Sequence, residues 1–330
     1  MTSDERTMEP STVETGYRRG YRNPIALRDA IARAHATNVW RTTAVAVLDH
    51  LTIPVVLLAA TSPAVRHAGW LVICTAVLLG VVVAARQLRA LECLVHEASH
   101  FNWSRRHRTL GDVLAAVLAG VPTGARIADY RQSHLVHHGR FGTAADPDRQ
   151  RYEQLDLEDL DRSDLGSYAV GLLCRFVPYQ RGWLDTLGSA PGTALLPFAW
   201  CAVVIVLPGW LLGGPVWAGS AALAWLVAHL VALPVVRFIG ESSEHVYREA
   251  DTVFAATVSN LGLAQRLLIH PHGDGYHTIH HMWPGVPHHQ LAKLHRVLLS
   301  EDDEYRSKIR YRTRVRQRPR TGWTENRATA

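Results

Sequence analysis

The sequence predicts an all-α integral membrane protein with four transmembrane helices arranged as two hairpins. Three observations carry that expectation. Residues 43–60, 68–85, 193–212 and 216–236 are apolar stretches, each close to the ~20 residues needed to cross a ~30 Å hydrocarbon core. They come as close pairs, joined by short turns at Thr61-Ser62-Pro63 and Gly213-Gly214-Pro215, with a long polar segment from Gln87 onward between the pairs. Nearly all Lys and Arg fall outside them. The mean hydropathy of −0.02 is thus an average over two unlike phases, and no connection is long enough for a separate domain.

Taken in order, residues 1–42 form a polar arm bearing Arg18, Arg19 and Arg22. The arm lacks an apolar run, so no secretory signal peptide is expected. Residues 43–300 form the membrane domain, with a cap made of 87–190 and 237–300, and residues 301–330 a basic tail. The positive-inside rule places the arm, the cap and the tail in the cytoplasm of a plasma-membrane protein. The formal charge of +6 then describes faces that meet anionic lipid, and no nucleic-acid partner is implied. Cys74, Cys93, Cys174 and Cys201 form no CxxC and read as reduced packing residues.

Span two runs on as helix through RQLRALECLVHEASHF, which puts His96 and His100 one turn apart at the inner edge of the membrane. Residues 113–122 (VLAAVLAGVP) are too short to span and read as an interfacial or re-entrant helix. Next comes SHLVHHGRFG, with His134, His137 and His138. After span four GESSEHVY sets Glu241 and His245 one turn apart, and DGYHTIHHMWPG then carries His277, His280 and His281. On a helix, H-x-x-H-H turns three imidazoles to one side.

HEASH by itself is the H-E-x-x-H signature of zinc proteases, in which Glu97 would be the base. One zinc uses three protein ligands, however, and this chain clusters eight histidines plus His245 on one predicted side of the membrane. Nine or ten ligands suit two metals, and imidazole-rich ligation with open positions suits iron that meets O2. Glu97 then becomes a partner that orients a ligand histidine.

The order HEASH, HLVHH, HTIHH around two helical hairpins resembles the membrane fatty acid desaturase and hydroxylase superfamily of diiron enzymes. The likeness runs from about Ala90 to Leu294, and GTAADPD and YHTIHHMWPGVPHHQL resemble the bacterial acyl-lipid desaturase branch. The resemblance implies a four-helix stalk under a cytosolic helical cap, with the diiron site at their junction. It implies as ligands His96, His100, His134, His137, His138, His277, His280 and His281, with His245 as a further one. Glu241, where such members place a polar residue, would ligate iron directly or through water, and His272 is an extra ligand or a loop residue. His107, His288, His289 and His295 read as surface or outer residues, and His229, inside span four, as a core histidine.

The implied chemistry is an attack on an unactivated C–H bond with two irons, O2 and two external electrons. An alkene is the desaturase outcome and an alcohol that of a hydroxylase or monooxygenase. No iron–sulfur spacing or dinucleotide loop is present, so a separate ferredoxin and ferredoxin reductase are expected to supply the electrons. The expected substrate is an acyl chain on lipid, coenzyme A or carrier protein, with a specialised-metabolite precursor as the alternative. A membrane zinc protease and a metal-binding or transport protein are the readings from other classes.

Overall fold

The computed structural model describes residues 17–188, 190–248 and 251–323. Its longer helices are α1 (Arg28–Ala34), α2 (Val39–Ala60), α3 (Trp70–Ser99), α4 (Arg108–Ala115), α5 (Ile127–Gly139) and α6 (Leu165–Gly188). They continue with α7 (Gly192–Gly213) and α8 (Pro215–Glu241), then α9 (His277–Met282), α10 (His288–Glu301) and α11 (Asp303–Lys308). Helices α2, α3, α7 and α8 are long and apolar enough to cross a membrane, and only 28% to 44% of their most apolar windows is buried within the protein. Leu48, Leu51, Val55, Leu78 and Leu223 point outward, whereas Ile53, Leu57, Leu88, Leu91, Ile205 and Trp225 meet inside. An apolar exterior around an apolar seam suits lipid.

Small residues let these helices approach closely, as packing without a hydrophobic driving force requires. A Cβ at Gly80 would stand 2.8 Å from that of Ala60, and one at Gly209 would stand 3.1 Å from the Ala218 Cα. Asn38 starts α2 by accepting the Arg41 N–H at 3.0 Å.

Three of the four π turns among the described residues, Ala116–Gly120, Ala202–Val206 and Ala228–Ala232, lie inside longer helical runs. Each is followed by a proline, Pro122, Pro208 or Pro234. A proline has no N–H and its ring collides with the carbonyl four residues back, and a wider turn relieves both. Two of the carbonyls so released find donors on neighbouring helices. His50 Nδ1 lies 3.2 Å from Leu118 O, and Gln180 Nε2 donates to Leu230 O at 3.5 Å. The latter two helices are α6 and α8; His50 also accepts from Trp200 Nε1 at 2.8 Å, which explains a histidine inside the first span.

Three features of the cap go beyond the sequence reading. The 113–122 segment belongs to a longer helical run, Arg108–Thr123, that turns by 93° into α5, with Gly124 at φ 77° making the corner. Helix α6 was not anticipated; its inner face carries Tyr168, Arg175 and Tyr179, while Val170, Leu173 and Val177 lie outside. The basic tail is folded as far as Trp323: α11 leads into β2 (Arg310–Arg312), which pairs parallel with β1 (Ser259–Asn260) and antiparallel with β3 (Arg320–Thr321). Tyr305, Ile309 and Tyr311 are buried there. The burial of Tyr305 and Ile309 against Tyr21, Leu27 and Leu298 outweighs the charge of the intervening arginines. Residues 1–16 of the arm and 324–330 of the tail lie outside the described residues.

Candidate metal centre

Nine histidines from four places in the chain converge at the histidine-bearing end of the stalk. The C-terminal turn of α3 supplies His96 and His100, α5 supplies His134, His137 and His138, α9 supplies His277, His280 and His281, and the loop after α8 supplies His245. They form two groups. In the first, one ligand nitrogen from each of His96, His100, His134, His138 and His280 lies within 4.8 Å of all the others. His137, His245 and His281 satisfy the same limit in the second, and His277 Nε2 joins them 3.0 Å from His245 Nε2. The rings of His138 and His281, 4.5 Å apart, connect the groups.

The two H-x-x-H-H motifs are therefore divided between the groups rather than aimed at one. On α5 the i, i+4 pair His134 and His138 enters the first group and His137 the second. On α9 the i, i+4 pair His277 and His281 belongs to the second group, and His280 turns to the first. Residues four apart share a face and the one between is rotated away, so a single helix serves both groups.

The donor set fits two metal ions. Nitrogens bound at about 2.1 Å to one ion stand about 3.0 Å apart at right angles and about 3.4 Å apart at tetrahedral angles. The Nε2 atoms of His96, His134, His138 and His280 form a closed ring with edges of 2.9, 3.1, 2.9 and 2.9 Å, and those of His137 and His281 are 3.3 Å apart. An imidazole nitrogen offers one N–H or one lone pair. Four such atoms can thus satisfy at most two of the four contacts among themselves. His100 Nε2 is buried beside them and meets no hydrogen-bond partner. A cation bound between the rings resolves both deficits. Burial, reinforced by neighbouring imidazoles, pushes His280, His281 and His245 well below the usual histidine range, and burial does the same for His277. Neutral imidazoles keep the lone pairs that metal ligation needs.

Other residues aim the ligands. His137 Nδ1 meets Asp146 Oδ1 at 2.8 Å, with both side chains closed to solvent. Asp146 is itself fixed by the N–H groups of Gly142 and Asp148, both at 2.9 Å. The Tyr152 hydroxyl accepts the backbone N–H of Glu244 and of His245 at 3.3 and 3.2 Å and donates to Glu241 O, which shapes the loop carrying His245. Asp274 Oδ1 stands 3.5 Å from His96 Nδ1, while its Oδ2 accepts from Arg89 at 2.9 Å and from His270 at 3.1 Å. Asp146 and Asp274 were within the quoted motifs GTAADPD and DGYH, but nothing in their spacing marked them as partners of particular histidines. Glu244, His270 and Asp274 also lie close enough to suggest a metal group; the Arg89 guanidinium already supplies the cation there.

Glu241 and Glu97 stand apart from their expected roles, and His272 takes the loop-residue alternative. Helix α8 ends at Glu241, so Glu241 and His245 do not share a helical face. The Glu241 carboxylate instead takes the Tyr179 hydroxyl at 3.0 Å and Arg151 at 3.4 Å. His272 Nε2 pairs with Asp49 Oδ2 on α2 at 2.6 Å, outside both groups. The buried Glu97 accepts the His288 N–H at 2.6 Å; it ties α3 to the start of α10 and orients no ligand imidazole. His229 stacks on Trp225 at 4.9 Å as a core residue.

The sequence model of the fatty acid desaturase family matches residues 68–313, a span that includes all nine histidines. The chain belongs to the fatty acid desaturase family. It is also 24% identical, over 251 residues covering 68% of each chain, to dihydrorhizobitoxine desaturase of Bradyrhizobium elkanii. This fatty acid desaturase family member is thus an oxidoreductase of the desaturase and hydroxylase type, with four helices suited to a membrane.

Proposed function

We propose that this chain is an O2-dependent diiron desaturase that removes one hydrogen from each of two adjacent, unactivated carbons of a fatty-acyl or lipid-like substrate. The observation that carries the reading is the division of nine imidazoles into two adjoining groups by α5 and α9. The reaction balances as R–CH2–CH2–R′ + O2 + 2 electrons + 2 H+ giving R–CH=CH–R′ + 2 H2O. An external ferredoxin and its reductase supply the electrons.

His96, His100, His134, His138 and His280 would hold one iron, and His137, His245, His277 and His281 the other. Such a pair, when bound, supplies the redox chemistry needed to attack an unactivated C–H bond with O2. The chain's own task is to hold, orient and exclude water. Asp146 sets the His137 tautomer, with the proton on Nδ1 and the lone pair on Nε2. Phe141 packs on His137, His245 and His281 with ring centroids 5.2, 5.1 and 4.8 Å apart, and Tyr130 stacks on His134 at 5.4 Å. These rings keep bulk water from the nitrogens, a condition for oxidising a substrate rather than releasing the oxidant.

Hydroxylation is the second outcome the same site could support, because placement of the second C–H bond decides between alkene and alcohol. The relative named above favours desaturation, and its named substrate keeps a specialised-metabolite precursor beside acyl chains on lipid, coenzyme A or carrier protein. The test is product analysis by mass spectrometry with ferredoxin, reductase, O2 and acyl substrates. Loss of two hydrogens is expected, a gain of one oxygen would make the enzyme a hydroxylase, and an unchanged substrate pool with no O2 consumption would remove the reading. The bias of basic residues supports a centre on the cytoplasmic face of the plasma membrane, where a soluble donor can reach it. Reporter insertions near Asp148 should then read cytoplasmic and one near Gly213 the opposite face.

A further inference from the structure

Part of the cap descends along the stalk instead of sitting above it. The π turn Gln265–Ile269 precedes the third histidine cluster, and two arginines of α3 hold it. Arg86 Nε donates to Leu267 O at 2.9 Å, and Arg89 Nε donates to Ile269 O at 3.3 Å. These contacts fix its height. Arg86 lies sixteen residues beyond Trp70 in α3, about 24 Å from the outer end at 1.5 Å per residue. It is ten residues short of His96, about 15 Å below the metal centre. A ~30 Å hydrocarbon core takes ~20 helical residues. The turn therefore reaches the level at which the span leaves the hydrocarbon.

The side chains presented at that height are unlike those of a solvated loop. Leu263, Leu267 and Leu268 are 63%, 53% and 48% exposed, and the charged residue among them is Arg266, itself exposed. Beside them α3 continues downward with exposed Leu78, Leu79, Val82 and Val83. The leucines thus extend an apolar exterior already present on the span. A long basic side chain among them can rise to the phosphate level while its stem stays in the apolar layer.

We propose that Leu263, Leu267 and Leu268 form a membrane-inserted knob that seats the cap in the acyl chains of the leaflet on the histidine side. The knob is a second, in-plane anchor beside the four spans, joined to the third histidine cluster by only the short segment 270–276. The inference rests on the reading of α2, α3, α7 and α8 as membrane spans. It assigns to the bilayer a segment that the hydropathy of the sequence leaves in the cytosolic cap.

The test uses the full chain in lipid nanodiscs, with Cys74 and Cys174 replaced by Ala and a nitroxide attached in turn at L267C, L268C, L78C and S300C. Collision with O2 and with a water-soluble nickel complex is read by power-saturation electron paramagnetic resonance. Labels at 267 and 268 should favour O2 over nickel, as the span position 78 does, and position 300, on the exposed face of α10, should show the reverse. Labels at 267 and 268 that behave like 300 would overturn the knob, and so would labels shielded from both reagents, which would mean that protein covers the turn. A nickel-accessible label at 78 would instead overturn the assignment of the spans.

Discussion

His137 Nδ1 and Asp146 Oδ1 meet at 2.8 Å in a place where neither side chain touches solvent. The aspartate comes from the N-terminus of the short helix Pro147–Gln154, which it caps by accepting the N–H of Asp148 and of Arg149. One carboxylate thus starts a helix and aims a ligand. Asp146→Asn retains a good cap but loses the charge that favours the Nδ1–H form of His137. The expected result is a folded protein whose second metal binds roughly 10- to 100-fold more weakly. Metal titration of the variant, with circular dichroism as the check on folding, decides it; unchanged affinity would leave Asp146 as a cap alone.

The two groups should be separable by mutation. His134→Ala, His138→Ala and His280→Ala each remove a nitrogen from the five-imidazole group, and His281→Ala and His137→Ala remove one from the other. All five should abolish turnover. Elemental analysis should show metal content falling from about two per chain toward about one, because an ion deprived of one imidazole is under-coordinated and poorly retained. Full activity in any variant would take that residue out of the centre.

Glu241→Gln should have little effect. The carboxylate pairs with Arg151, and both side chains are about one-third exposed, a setting in which ion pairs contribute about 0–1 kcal/mol. Its other partner, the Tyr179 hydroxyl, can donate to an amide oxygen as well. Turnover and metal content near those of the parent are expected. Loss of one metal would return Glu241 to the ligand set.

Acid should destabilise the metal-free chain. Burial holds His245, His277, His280 and His281 below the ordinary value, about 6.5, so in the folded state they resist protonation. Below about pH 6.5 the unfolded chain takes up protons that the folded chain refuses, and stability falls as the pH drops from there toward the folded values. Above about pH 7 both states are neutral and these groups contribute no slope. His137, which the carboxylates of Asp148 and Asp146 raise against the lowering effect of burial, adds a slope of the opposite sign near neutrality. The contribution of the lowered imidazoles is therefore read as a difference: the Tm gap between the metal-free parent and its His280→Gln variant in detergent should be constant above neutrality and shift in the variant's favour on the acid side, and a gap independent of pH between 7 and 5 would contradict this account.

The sequence by itself determined four segments long and apolar enough to span a membrane, the three histidine clusters and their common side. Each is a local property: hydropathy over ~20 residues, histidines at helical spacing, and a bias of basic residues. It also carried the likeness to the desaturase family, because that likeness resides in short motifs in a fixed order. What it could not supply was the partition of the nitrogens. His280 and His281 are neighbours in the chain and belong to different groups, since the direction of a side chain on a short helix depends on how that helix docks against α3 and α5. The same limit accounts for Glu241 and Glu97. The periodicity that aligns Glu241 with His245 holds only while a helix lasts, and α8 ends at Glu241. Glu97 lies beside His96 in the chain, yet the helix rotates it toward His288. Asp146, Asp274 and Arg89 gain their roles from contacts with residues 9, 178 and 185 positions away, and packing alone brings such partners together.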